Sequence, residues 1–160
     1  MFIIDDVLSL AVQLEQNGER VYRRALDVIQ EKSVAELVSW MAEEEKRHAQ
    51  WFSDLKTKWA ADSENPFTQD IGQSMLSDML GRQSFSLKEV DFGAITDEQE
   101  LLAVFIEFEE DTILFYQMLV PFIQEDAVKD RLALIIDEER EHIRRISSHL
   151  QRMNTGTVSL

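Results

Sequence analysis

A shift of 94 residues, made without a gap, lays Asp5–Ala60 over Gln99–Asn154 and matches eleven of the 56 aligned positions. One identity in five is slight by its number; the weight lies in which residues match. Glu15 falls on Glu109, Tyr22 on Tyr116, Glu44 and Glu45 on Glu138 and Glu139, and His48 on His142. Each half therefore carries a Glu, a Tyr seven residues later and, thirty residues after the Glu, a Glu-x-x-His. Two such halves constrain the chain to a fold in which matching side chains can be brought together about an approximate twofold axis.

The local period says what kind of fold that is. Only 5 Gly and 2 Pro interrupt the chain, and its apolar residues recur at three- and four-residue spacing, the helical period. The sequence predicts an all-α protein. A first helix is expected from about Asp5 to Glu31, and a second from Ser33, where Ser33-x-x-Glu36 has the form of a capping box. The third opens in the same way at Thr96-x-x-Gln99, the fourth starts near Asp126, and Pro121 should kink or end the third. The repeat then defines two hairpins, about 5–60 and 96–154, joined by a crossover of about 61–95 within one domain spanning 1–160. Met75, Leu76, Met79 and Leu80 suggest a short amphipathic helix between Ile71 and Phe85 inside that crossover. So long a connection lets the second and third helices run parallel, which is the connectivity of a ferritin-like four-helix bundle.

The heptad stripes locate the matched residues on these helices. The first reads Leu8, Ala11, Glu15, Gly18, Tyr22, Ala25, Ile29, and the third Leu102, Phe105, Glu109, Thr112, Tyr116, Leu119, Ile123. The second reads Val34, Val38, Met41, Glu45, His48, Phe52, Leu55, and the fourth Val128, Leu132, Ile135, Glu139, His142, Ile146, Met153. Each stripe is apolar except in mid-helix, where its polar residues are aimed inward. At a rise of ~1.5 Å per residue, Glu15 and Glu45 both lie ~20 to 24 Å from the turn between their helices, so they sit at one level. Glu109 and Glu139 have the same 30-residue interval. Twofold pairing of the hairpins would gather all six side chains in one place.

Four ionised carboxylates in a bundle interior cost several kcal/mol each unless neutralised. Two divalent cations would balance them. A Glu and a His one turn apart can both reach one ion, and the oxygen-rich, imidazole-containing set suits iron, with manganese and zinc as alternatives. The chain has no Cys, which excludes disulfides, thiolate metal sites, iron–sulfur clusters and thiol catalysis. The 16 Lys and Arg against 31 Asp and Glu give a net charge of −15, which repels nucleic acid and anionic membrane surfaces. The N-terminal MFIIDDVLSLAVQLEQ has neither a basic leader nor a long apolar run, so a cytoplasmic location is expected.

Glu15-x6-Tyr22, Glu45-x-x-His48, Glu109-x6-Tyr116 and Glu139-x-x-His142 together resemble the ferritin-like superfamily, and more narrowly the diiron domain of rubrerythrins. The resemblance implies that Glu15 and Glu109 are metal ligands, that Glu45 and Glu139 bridge or chelate, and that His48 and His142 are terminal nitrogen ligands. It implies that Tyr22 and Tyr116 hydrogen-bond ligand carboxylates across the site. It also implies a homodimeric redox protein acting on hydrogen peroxide or dioxygen. Two departures matter. A rubredoxin-like four-cysteine centre is absent from these 160 residues, so electrons would come from an external donor, and Thr112 stands where many rubrerythrins have a further Glu. Ferritin-like iron oxidation with sequestration, and a metal-stabilised structural or sensing bundle, are the alternatives. Among the flanking acids most are expected at the surface, with Glu44 and Glu138 candidates to pair behind the ligands. His149 is expected at the surface or a helix end.

Overall fold

The computed structural model describes residues 4–61, 94–95 and 97–156. They form four helices, α1 (Ile4–Ala25), α2 (Lys32–Ala61), α3 (Glu98–Leu119) and α4 (Asp126–Gly156), with a 3-10 turn at Val120–Phe122. No strand occurs among the described residues, and none of their helices is long and apolar enough to cross a membrane.

Side-chain pairings fix the directions. Arg23 reaches Glu43 at 2.6 Å and Lys56 Nζ donates to Ser9 Oγ at 2.7 Å, so α1 and α2 are antiparallel. Tyr22 packs edge-on against Phe105, with ring centroids 4.7 Å apart, while its hydroxyl donates to Glu109. Tyr116, further along α3, donates to Glu15, earlier on α1. Helices α1 and α3 are therefore antiparallel, and because α1 opposes both α2 and α3, those two run parallel. That is the orientation a long crossover permits. The crossover itself, with the expected short helix over Ile71 to Phe85, lies outside the described residues.

Every residue of the four predicted stripes is buried except Met153, which is half-buried. Fully burying a Leu, Ile or Phe side chain contributes ~1.5–3 kcal/mol, so the apolar members of these four stripes supply the driving force for bundle formation. Helix propensity alone could not hold them together.

Three helix ends differ from the sequence expectation. Helix α1 stops at Ala25 instead of continuing to Glu31, because the chain turns there: Asp27 N–H bonds to Arg24 O, and Val28 and Ile29 N–H to Ala25 O. Helix α2 already begins at Lys32, which places Ser33 inside the first turn; its hydroxyl donates to the Glu31 side chain, and the Ser33–Glu36 capping box does not form. Helix α3 is capped by Asp97, whose side chain accepts from Glu100 N–H at 2.7 Å, one residue beyond the expected Thr96. At its other end α3 gives way to the 3-10 turn containing Pro121. Proline has no N–H to continue the helical ladder, as its sequence position predicted.

Candidate metal centre

The six mid-helix side chains converge on the bundle axis. Glu15, Glu45, Glu109, Glu139 and His142 are completely buried and His48 nearly so. Their oxygen and nitrogen atoms fall into two groups, each within 4.8 Å. Glu15, Glu45, His48 and Glu139 make one, and Glu45, Glu109, Glu139 and His142 the other. Glu45 and Glu139 belong to both. Each Glu-x-x-His helix thus serves both groups through its carboxylate and one through its imidazole, a consequence of the 94-residue repeat acting about the bundle axis.

Two tyrosines aim the outer carboxylates. Tyr22 donates to Glu109 Oε1 and Tyr116 to Glu15 Oε1, crosswise between α1 and α3. The second oxygens, Glu15 Oε2 and Glu109 Oε2, are left without a hydrogen bond, as are both oxygens of Glu45 and of Glu139. His48 Nδ1 lies 2.9 Å from Glu139 Oε1, and His142 Nδ1 lies 3.0 Å from Glu139 Oε2, 3.2 Å from Glu109 and 3.4 Å from Glu45. Buried polar atoms are almost always paired in native proteins. So many unpaired oxygens turned toward one another, with imidazole nitrogens between them, form a donor set that fits cations.

The electrostatics of the ion-free cluster follow from crowding. Burial, and then the charges of Glu139, Glu15 and Glu109, push Glu45 well above the carboxylate range. Burial and the charge of Glu139 raise Glu109 to about 8 against the opposing pull of His142. Burial would raise Glu139 too, but the cationic His142 and His48 beside it hold it well below the usual value. Burial by itself lowers the histidines; the charge of Glu15 with the Glu138 and Glu139 carboxylates outweighs this and takes His48 to about 12. Glu109 and Glu139 do the same for His142, to about 10. Both tyrosines are driven well above 10 by burial and by the neighbouring carboxylates, so their hydroxyls stay protonated and donate. Without cations, the cluster holds together by keeping protons.

Further residues shape the cavity. A β-carbon at Gly18 would stand 2.8 Å from Glu45 Oε2, so the absence of a side chain there is what makes room for that carboxylate. Its repeat counterpart Thr112 is buried but turned away, donating to Phe108 O at 2.9 Å within its own helix. Glu138 Oε2 lies 2.8 Å from His48 Nε2. Glu44 is buried and pairs with Arg47; with His48 and Glu138 it forms an outer polar group. Trp40 stands edge-on to His142 at 5.1 Å. Sequence reasoning had no signal for Trp40, because Leu134 occupies the matching position. Gly18 did leave one, as the only glycine in a core stripe. His149 is half-buried on α4, outside the cluster, and its pKa is lowered by burial and by Arg152.

Comparison with known proteins agrees with this architecture. A crystal structure from Thermotoga maritima, of a protein assigned to the ferritin-like diiron-carboxylate proteins, superposes with a TM-score of 0.67 at 24% identity, over 94% of this chain and 95% of that one. A hypothetical protein from Pyrococcus furiosus superposes with the same TM-score at 19% identity, over 94% and 89% of the two chains. At these identities the likeness establishes the fold. No curated protein sequence matches this chain. The sequence matches the Rubrerythrin family over residues 6–142, a span that reaches into all four helices and contains both Glu-x-x-His pairs. The chain therefore belongs to the rubrerythrin family.

Proposed function

We propose that this chain is a dimetal redox protein that holds two divalent ions, iron in the first instance, and reduces hydrogen peroxide or dioxygen with electrons from an external donor. Glu15 and His48 would hold one ion and Glu109 and His142 the other, with Glu45 and Glu139 shared between them. The observation that carries this reading is the pair of overlapping ligand groups that share two carboxylates. Four glutamates and two histidines match the charge and preferences of two ferrous ions. Bound iron would supply the two electrons that cleavage of a peroxide O–O bond requires.

The remaining work falls to the chain's own residues. Complete burial excludes bulk water and strengthens every charge–dipole interaction at the site. The Tyr22 and Tyr116 hydroxyls hold Glu109 and Glu15 by one oxygen each and leave the other free to bind. Gly18 leaves space in which the Glu45 carboxylate can sit. Thr112 has its hydroxyl committed to the Phe108 carbonyl of its own helix, so it would not serve as a ligand.

The test is the metal content of anaerobically purified protein, followed on the same sample by absorbance after one equivalent of hydrogen peroxide. About two irons per chain, with a ferric absorption band rising within seconds, is the expected result. Less than one metal per chain, or two redox-inert zinc ions in protein from its native host, would overturn the proposal.

A further inference from the structure

The two halves repeat their six central residues but not what stands behind them. His48 turns Nδ1 to the cluster and places Nε2 2.8 Å from Glu138 Oε2. His142 likewise turns Nδ1 inward, but its buried Nε2 has no hydrogen-bond partner among the described residues. Glu44, the repeat counterpart of Glu138, does not supply one: it pairs with Arg47 and lies with Glu138 on the His48 side. Trp40 takes the place beside His142, ring edge to ring face with centroids 5.1 Å apart, and the Arg145 guanidinium covers the indole at 4.3 Å. Their repeat counterparts are Leu134 and Trp51, so the repeat does not supply the same pair for His48.

We infer that Glu138 makes the two metal positions unequal, so that the one formed by Glu15 and His48 fills first and holds its ion more tightly than the one formed by Glu109 and His142. This rests on the dimetal reading above. A carboxylate that accepts the outer N–H of a ligating imidazole fixes its tautomer and orientation and makes the inner nitrogen more basic. His48 has that support. His142 has no such acceptor among the described residues, and an outer N–H left unpaired in a buried site disfavours the ligating tautomer. Glu141 pairs with Arg145 at 2.7 Å and also with Arg144, so one carboxylate serves two cations on that side, and the residual positive charge disfavours a metal ion there in the same sense as the missing acceptor. Below two equivalents of metal the chain would then populate a one-ion form with a defined occupied half. Two different metals supplied in order would give a mixed centre.

Anaerobic titration of the metal-free protein with Co(II), followed by calorimetry and visible absorption, tests this. Two resolved steps are expected. Glu138→Ala should weaken the tighter step by about ten- to a hundredfold and leave the weaker one in place, and Glu138→Gln, whose amide oxygen still accepts, should restore part of the loss. His48→Gln should delete the tight step and His142→Gln the weak one. A merely structural role for Glu138 would move both steps together. Two steps of equal affinity, a uniform or absent effect of Glu138→Ala, or loss of the tight step in His142→Gln would overturn the inequality while leaving two ions bound. Failure to take up two Co(II) per chain would overturn the dimetal reading and this inference with it.

Discussion

A methyl group at position 18 would meet Glu45 Oε2 at 2.8 Å and Phe108 Cε1 at 3.2 Å. Gly18→Ala gains ~0.5–1 kcal/mol of helix stability, and because the nearest atom is the far end of a flexible side chain, relieving the clash costs only the lower part of the ~1–3 kcal/mol typical of overpacking. Urea denaturation of ion-free protein should therefore show a change under ~1 kcal/mol. Metal affinity should fall, since relief moves a carboxylate shared by both ligand groups; unaltered metal affinity in a calorimetric titration would count against that role. Tyr116→Phe strands Glu15 Oε1 in the interior at a cost of ~1–3 kcal/mol. Tyr22→Phe should cost less, because Glu109 Oε1 keeps His142 Nδ1 at 3.2 Å; equal losses in the ion-free proteins would contradict this ordering. The convergence of six polar residues was legible because each interrupts an apolar heptad stripe at matching height. The acceptor behind His48 was only half legible: the repeat marks Glu44 and Glu138 alike, and whether a carboxylate crosses to the opposite helix or stays on its own depends on neighbours such as Arg47.

Helix boundaries obey a different logic, in which the last turns are decided by partners distant in sequence. The residues after α1 keep an apolar period through Ile29, which is buried, so periodicity runs past the true end at Ala25. The turn is instead fixed from outside: Glu98, in the first turn of α3, accepts from the N–H groups of both Gln30 and Glu31 across 68 and 67 residues of sequence. The N–H groups just ahead of α2 are thus satisfied by a remote carboxylate, and Ser33, already inside the helix, gives its hydroxyl to Glu31, so the Ser33–Glu36 pattern is unused. At α3 the choice lay between adjacent residues, and Asp97 has the extended backbone, φ −144° and ψ 161°, that a capping residue needs. Asp97→Ala should lower stability by ~1 kcal/mol in chemical denaturation. A change well below that would mean that Asp97 does not cap the helix in solution. The helices and their inward faces were legible from period alone, whereas the ends required the tertiary structure that the faces create.

At the scale of the molecule, the proposed dimetal centre would set protons and cations in competition for one buried cluster, which predicts opposite pH dependences with and without metal. In the ion-free fold His48, His142 and Glu109 hold protons up to about 12, 10 and 8, against ordinary values of 6.5 for His and 4.5 for Glu. A raised pKa means that the folded state binds more protons than the unfolded one. Its contribution is complete below the ordinary value and is lost as pH rises through the folded value. Between pH 6.5 and 9 the ion-free fold should therefore lose stability steadily, with Glu109 giving up its proton near 8 within that window. Glu139, held low, is ionised in both states there and contributes no slope. With metal the sign reverses. Ions bind the deprotonated ligands, so loading expels the same protons and strengthens as pH rises, and tighter binding to the native state raises its apparent stability by mass action. Thermal unfolding midpoints at pH 6.5, 7.5 and 9, measured after chelation and again with saturating divalent metal, should diverge: falling in the first series, rising or level in the second. Proton release on loading, read by calorimetry in buffers of different ionisation enthalpy, should accompany it. Parallel declines in both series would mean that the metal does not occupy the proton-holding cluster, and that the four buried glutamates are held by something other than the cations their geometry fits.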